Sequence, residues 1–520
     1  MRGAPMLNPM DTIDAFLTAL GGRAAVTRAA IERTVSTGWR RHPGWGTDPG
    51  RPELVADFTS TVELDLDRPR YRLAHRAKTY LVPSDLDYVE IGNGSRGHVT
   101  GTDFMFDPRP VDLDVPSWRV AVWLRHFDLT SPLRIAHALL APGADVTAEP
   151  GEPADGRDTT TLTLREFGRP PMRLHIDATT GELLAVDTVE AHTPRGDALV
   201  RVTFGDVRQA GELRLPFRVD ISIDGLAVHS ETRTEITVAD TIDDATFAVP
   251  GVPVRDASAA QASYAVYATE WVMNYIYSGV RFYFDLQTAP ITPAPADLAP
   301  GVKLVVGPSH NTMIVELPDR LLAVETPLYP DYARAALAQI RAAFPDKPLR
   351  EVVGTHFHYD HIGGIREFAA EGDVTVHVGT PTVPFFTEVL HNQPETDPDR
   401  MAAVPATVTV EGIDTNLILP TARGGTVEMH RITSDHSDDM LIVYVSDGKL
   451  VFNSDLWNPT PVPPRRGDQR GRLATQLYDA ITELGLDVTT IVGGHSGTGG
   501  TTSAPIEYLK IAAGYADSEG

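Results

Sequence analysis

A chain of 520 residues exceeds one ordinary hydrophobic core, so two or three domains are expected. A net charge of −25 leaves no basic footprint for nucleic-acid phosphates or an anionic membrane surface. The chain has no cysteine, which excludes disulfides and thiolate ligands, and no apolar run approaches the roughly 18 residues of a membrane span.

The opening MRGAPMLNPMDTIDAFLTALGG has no uninterrupted apolar core of signal-peptide length, so a cytoplasmic location is expected. Ile13, Phe16, Leu17 and Leu20 recur at helical spacing, with Asp11 as the expected N-cap and Gly21-Gly22 as the stop. From about residue 50 to 250 the texture becomes strand-like, as in TTLTLREF, PMRLHIDATTGELLAVDTVEA and LRLPFRVDISIDG. DATTGE, between two such runs, predicts a hairpin turn with Gly181 in the permissive conformation. Residues 1–255 thus read as a helix followed by an antiparallel β domain, whose eight histidines form no ligand pattern. This helix and its meander-like strands resemble the LolA-type lipoprotein-carrier half-barrel.

Residues 256–300 read as a connector. Eight aromatics fall between Tyr264 and Phe284, among them Trp271, Tyr275 and Tyr277, before the proline-rich, extended APITPAPADLAP. Interdomain packing is the first reading of that cluster; a substrate-covering flap and an oligomer contact are the alternatives. From 301 to 520, short apolar strands (VKLVV, TMIVEL, LLAVET, REVVGT, VTVHV, MLIVYV, KLVFNS) alternate with helical stretches such as YARAALAQIRAAF and LYDAITELGL. Such alternation implies a layered domain with functional loops at strand ends.

One of those loops is GTHFHYDHIGG, residues 354–364. Imidazole nitrogens and carboxylate oxygens suit zinc and other first-row cations. His356 and His358, two apart, can face one side, and Asp360 and His361 a neighbouring position, so one loop offers ligands to two metals. Downstream, His436 precedes MLIVYV, Asp455 follows KLVFNS, and His495 ends TTIVGG. His377, His391 and His430 read as structural histidines, although His430 competes with His436 for the ligand role.

HxHxDH followed by His436, Asp455 and His495 resembles the metallo-β-lactamase superfamily in its binuclear hydrolase form, over about residues 300–510. The resemblance implies an αββα sandwich with metals at the edge between its two sheets. The fold class is then α+β, this sandwich preceded by the mainly antiparallel β domain. It also implies that His356, His358 and His436 hold one metal, that Asp360, His361 and His495 hold the other, and that Asp455 bridges them. Two zinc ions are the implied cofactors, with iron or manganese as alternatives.

Two cations sharing a water lower its pKa far enough to give hydroxide at neutral pH. Asp360 is expected to ligate and also to orient that nucleophile. The chain has no GxSxG elbow for serine catalysis. Relatives with a cysteine near the second metal, including several β-lactamases, differ from this chain; glyoxalase II and lactonase relatives share its ligand set. The expected activity is therefore hydrolysis of an ester, thioester or lactone carbonyl by a metal-bridged hydroxide. The alternatives are an iron- or manganese-dependent redox or lyase enzyme, β-lactam or phosphodiester hydrolysis, and a carrier with a structural metal site. Expected substrate contacts are His310 and Asn311 in SHNT, and Arg465 and Arg466 in an arginine-rich loop with Arg470 and Arg472, which can grip an anion. Phe385 and Phe386 read as an apolar wall or as packing. The expected partner is a small molecule, anionic or acyl-linked; a homo-oligomer stays compatible with the sequence.

Overall fold

The computed structural model describes residues 7–80, 84–103, 110–115, 117–154, 156–166, 169–251, 291–292, 295–396, 398–403, 407–464 and 471–516. The chain divides into two compact units.

Period-two burial builds the first unit. In Leu213–Ile223, residues Leu213, Leu215, Phe217, Val219 and Ile221 are buried, which turns one face of the strand to the core. Among the described residues thirteen strands form one sheet, in which the inner strand Ile31–His42 pairs antiparallel with both Glu53–Asp65 and Leu226–Ala239. Helices Pro9–Ala19 and Pro132–Leu140 bury Phe16, Leu17, Leu133 and Ile135 against it. The DATTGE hairpin joins Met172–Asp177 to Leu183–His192, with Gly181 at φ 75°.

Three details differ from the sequence reading. The N-cap of the opening helix is Asn8, which accepts from Met10 N, because Pro9 occupies the first helical turn and leaves Asp11 inside it. The β region begins at Ile31 rather than near residue 50, since IERTVSTGWRRH itself alternates. It is also interrupted by helices Ser117–Thr130 and Pro132–Leu140. The first of these is buried from Arg119 to Thr130, so it lacks the polar stripe that would mark it as a helix.

The second unit comprises Gly44–Arg51, Thr193–Gly196 and Phe282–Gly520. Its seven-stranded sheet runs from Ala296–Ala299, the end of the proline-rich stretch, to Val408–Ile413; its six-stranded sheet runs from Asn416–Pro420 to Ser503–Pro505. The aromatic cluster around Trp271, Tyr275 and Tyr277 lies outside the described residues. Leu304, Met313 and Val353 of the first sheet meet Met429, Val443 and Phe452 of the second in one buried cluster, so the sheets pack face to face. Helices Pro330–Ala343 and Val383–His391 cover the outer face of one sheet; Gly471–Glu483 and Ile506–Ala512 cover the other. The layers are therefore αββα. Phe385 and Phe386 are buried in the first of these helical layers. Among the described residues no helix is long and apolar enough to cross a membrane.

Candidate metal centre

Segments next to strand ends supply the polar residues of the centre, with Asp360 and His361 on the short helix Tyr359–Ile362. The HxHxDH loop follows Leu349–Val353, and Asp455 and His495 follow Leu450–Phe452 and Thr490–Val492. His436 precedes Leu441–Val445, and His310 precedes Asn311–Glu316. A Cβ at Gly363 would overlap the Leu328 carbonyl oxygen, so this loop turns into its helix only with glycine there.

The side chains converge in two groups. His356, His358, His436 and Asp455 have ligand-type atoms within 4.8 Å of one another, and so do His310, Asp360, His361 and His495. Asp455 reaches both: its Oδ2 lies 3.0 Å from His436 Nε2 and 3.5 Å from His361 Nε2, and its Oδ1 lies 2.8 Å from His495 Nε2. His356 Nε2, His361 Nε2 and His436 Nε2 are buried without a well-aligned hydrogen bond, the last two facing the Asp455 carboxylate they share. Buried imidazole nitrogens are costly when left so, and a cation is what this donor set would satisfy.

Residues 306–495 match the family model of the metallo-beta-lactamase superfamily. The C-terminal unit is a metallo-β-lactamase domain.

A linear primary-alkylsulfatase from Pseudomonas sp. (strain ATCC 19151) is 41% identical over 61 residues, 12% of this chain and 11% of that protein. The chain thus matches about a tenth of that relative's length. A metallo-beta-lactamase from Pontibacter korlensis aligns with 43% of this chain and 98% of its own at 15% identity and a TM-score of 0.32. A double mutant of a sec-alkyl sulfatase aligns with 42% of this chain and 41% of its own at 18% identity and a TM-score of 0.31.

Within the metallo-β-lactamase domain, burial and the neighbouring His358 hold His356 well below the ordinary imidazole pKa. Burial and His436 lower His358 to about 3, and burial and His495 lower His310 to about 3. These three rings are neutral at pH 7 and carry a lone pair for a cation. Burial opposes ionisation of Asp360, but His361 and His310 outweigh it and hold the carboxyl well below its usual range. Burial likewise opposes protonation of His361, yet Glu325, Asp360 and Asp455 raise its pKa well above the ordinary value.

Glu325, which sequence reasoning missed, organises the inner face. It is fully buried at the end of LLAV, and its Oε1 accepts from the Thr355 hydroxyl at 2.8 Å and from the Ser454 hydroxyl. Both hydroxyl protons being used there, Thr355 Oγ1 and Ser454 Oγ accept from His356 Nδ1 at 3.1 and 3.3 Å. Glu325 Oε2 lies 3.0 Å from His361 Nδ1. The network places hydrogen on both Nδ1 atoms and turns both Nε2 atoms toward the cluster. Its place after an apolar strand does not by itself distinguish it from a surface acid in the sequence.

Also missed was the stretch Gly44–Arg51. Gly46 O accepts from His358 Nε2 at 2.8 Å, which leaves Nδ1 of that neutral ring unprotonated. A Cβ at Gly44 would overlap the Tyr359 ring. Gly44→Ala is therefore expected to destabilise the chain by about 1–3 kcal/mol, read as a lower denaturant midpoint with an unchanged slope. A midpoint equal to wild type would show that the loop is not seated on Tyr359.

Of the expected substrate contacts, His310 is drawn into the second group, its Nε2 3.2 Å from Asp360 Oδ2. Asn311 donates to Gly493 O at 3.0 Å and accepts from Ser496 Oγ at 3.2 Å, which ties its strand to the His495 loop. Arg465, Arg466 and Arg470 lie outside the described residues, and Arg472 is an exposed side chain paired with Asp435. His377 pairs with Glu351 at 2.8 Å and His430 with Glu428 at 3.0 Å. His391 Nδ1 bonds Thr387 O, so His377, His391 and His430 all take partners away from the cluster. Folding also gathers His126, His229 and Glu231, scattered in sequence, but Arg233 stands 3.0 Å from that carboxylate and already neutralises it.

Proposed function

We propose that this chain is a metal-dependent hydrolase of a small ester-type substrate, with His356, His358 and His436 holding one cation and Asp360, His361 and His495 the other. The observation that carries the reading is Asp455, one carboxylate within reach of imidazoles from both groups. A cation pair held there, two zinc ions in the first instance, supplies a water of lowered pKa and a Lewis acid for the substrate oxygen.

The chain's own residues do the rest. His356 and His361, fixed through Glu325, aim Nε2 at the cluster without having to reorient; His356 presents a lone pair at once, and His361 does so on losing its proton, which favours pre-organised binding. Asp360 stays ionised at neutral pH and balances cationic charge inside a water-poor site. An ester, thioester or lactone carbonyl fits this arrangement. A sulfate ester is the second reading, favoured by 41% identity over 61 residues with a protein named as a linear primary-alkylsulfatase.

Mass spectrometry of protein purified without added metal is expected to find about two zinc ions per chain, with hydrolysis lost on chelation and regained with zinc. The panel should hold acyl esters, thioesters, lactones and alkyl sulfates. One iron per chain with no hydrolysis of any of them would defeat the proposal in favour of redox chemistry.

A further inference from the structure

Asp360 divides its two oxygens between different neighbours. Oδ2 faces the histidines, 3.2 Å from His310 Nε2, 3.6 Å from His361 Nε2 and 3.9 Å from His495 Nε2. Oδ1 accepts a hydrogen bond from Trp45 Nε1 at 3.3 Å. Trp45 is 3% exposed and sits in Gly44–Arg51, a segment of the metal-binding unit that precedes Asp360 by 315 positions in sequence. The segment is tied down beside the site, with Tyr359 N donating to Gly44 O at 3.3 Å and Asp438 N donating to Thr47 O at 3.0 Å.

We propose that Trp45 is a positioning residue of the metal pair: its indole N–H occupies Asp360 Oδ1, so that Oδ2 alone is presented to the second cation. The inference rests on the binuclear reading above. The chemistry of the indole suits the task. Its N–H donates only, has no lone pair to offer a metal, and stays neutral, so it fixes one carboxylate oxygen without competing as a cation. A lysine or arginine there would repel the metal that Asp360 is meant to hold. Large and buried, the ring also holds the N–H in place at little entropic cost. Hydrogen bonds of this kind to ligating side chains are worth roughly 10- to 100-fold in metal affinity.

Chelator competition for zinc, on wild type and Trp45→Phe, tests the proposal. The second zinc is expected to bind roughly ten-fold or more weakly in the variant while the first is unchanged. The visible spectrum of the cobalt-loaded protein is expected to change only for the second equivalent, and kcat to fall with KM unmoved. Where Trp45→Phe fails to fold, β-(3-benzothienyl)alanine at position 45 keeps the shape of tryptophan without the N–H and decides the matter. Wild-type affinities and cobalt spectra in these proteins would overturn the proposal. A wild type that takes up one zinc sinks the binuclear reading instead. Trp45 is then judged on that one metal: weaker binding without the N–H supports its role, and unchanged binding rejects it.

Discussion

Asp360→Asn is expected to lower kcat roughly 10³-fold, about 4 kcal/mol of barrier, in a protein that folds normally and still binds its first metal. The two side chains have nearly equal volume, so packing is not at issue. What changes is charge and acceptor count at a point 3.2 Å from His310 Nε2 and 3.3 Å from Trp45 Nε1. The carboxylate is held ionised by His361 and His310 despite burial, which means the site is built around that negative charge. The amide removes it and offers one oxygen, for which Trp45 and the second cation compete. Steady-state kinetics on the preferred ester, with metal content and a denaturation curve measured in parallel, decides the outcome. A variant with near-normal kcat would exclude Asp360 from the chemistry, and the binuclear hydrolase reading would lose its centre.

The ligand-type residues were legible in the sequence because their chemistry is local. Three histidines and an aspartate within six residues have no good use in a core or on a surface, and the later His436, Asp455 and His495 each abut an apolar strand. The layered C-terminal fold was legible for the same reason: strands buried on both faces read as short apolar runs, and Leu441–Val445 is buried at all five positions. The parts that escaped depend on long-range contact. Trp45 and Gly46 stand in a Gly- and Pro-rich turn whose composition says only loop, and their partners are more than 300 residues away. Glu325 is one carboxylate after one strand, indistinguishable in sequence from a surface acid until Thr355, Ser454 and His361 close around it. The helix Ser117–Thr130 escaped because near-complete burial erases the periodicity by which helices are found.

Glu325 sets up the second large effect. Glu325→Ala removes the acceptor of two buried hydroxyls and the partner of a buried imidazole, so a loss of roughly 3–5 kcal/mol in folding stability is expected. Glu325→Gln keeps the volume and separates two contributions to metal binding that oppose each other. The wild-type carboxylate raises the His361 pKa, so a proton competes with the cation for that ring, and this weakens metal uptake at neutral pH. The same carboxylate, 3.0 Å from Nδ1, keeps the hydrogen there and the Nε2 lone pair inward, and this strengthens uptake. An amide that donates to Nδ1 reverses the tautomer and turns the lone pair away. The logarithm of the wild-type affinity for the second zinc should therefore rise by about one per pH unit while His361 remains protonated in the metal-free protein, as each cation displaces one proton. In Glu325→Gln the rise should flatten, because the His361 pKa falls with the charge removed. At the alkaline end, where proton competition has vanished in both proteins, only the tautomer difference is left, and the variant should bind the second zinc roughly ten-fold or more weakly. Chelator competition across the pH range measures slope and plateau together. Parallel curves with equal plateaus would mean that Glu325 only supports the fold, and that the outward nitrogens of His356 and His361 need no keeper.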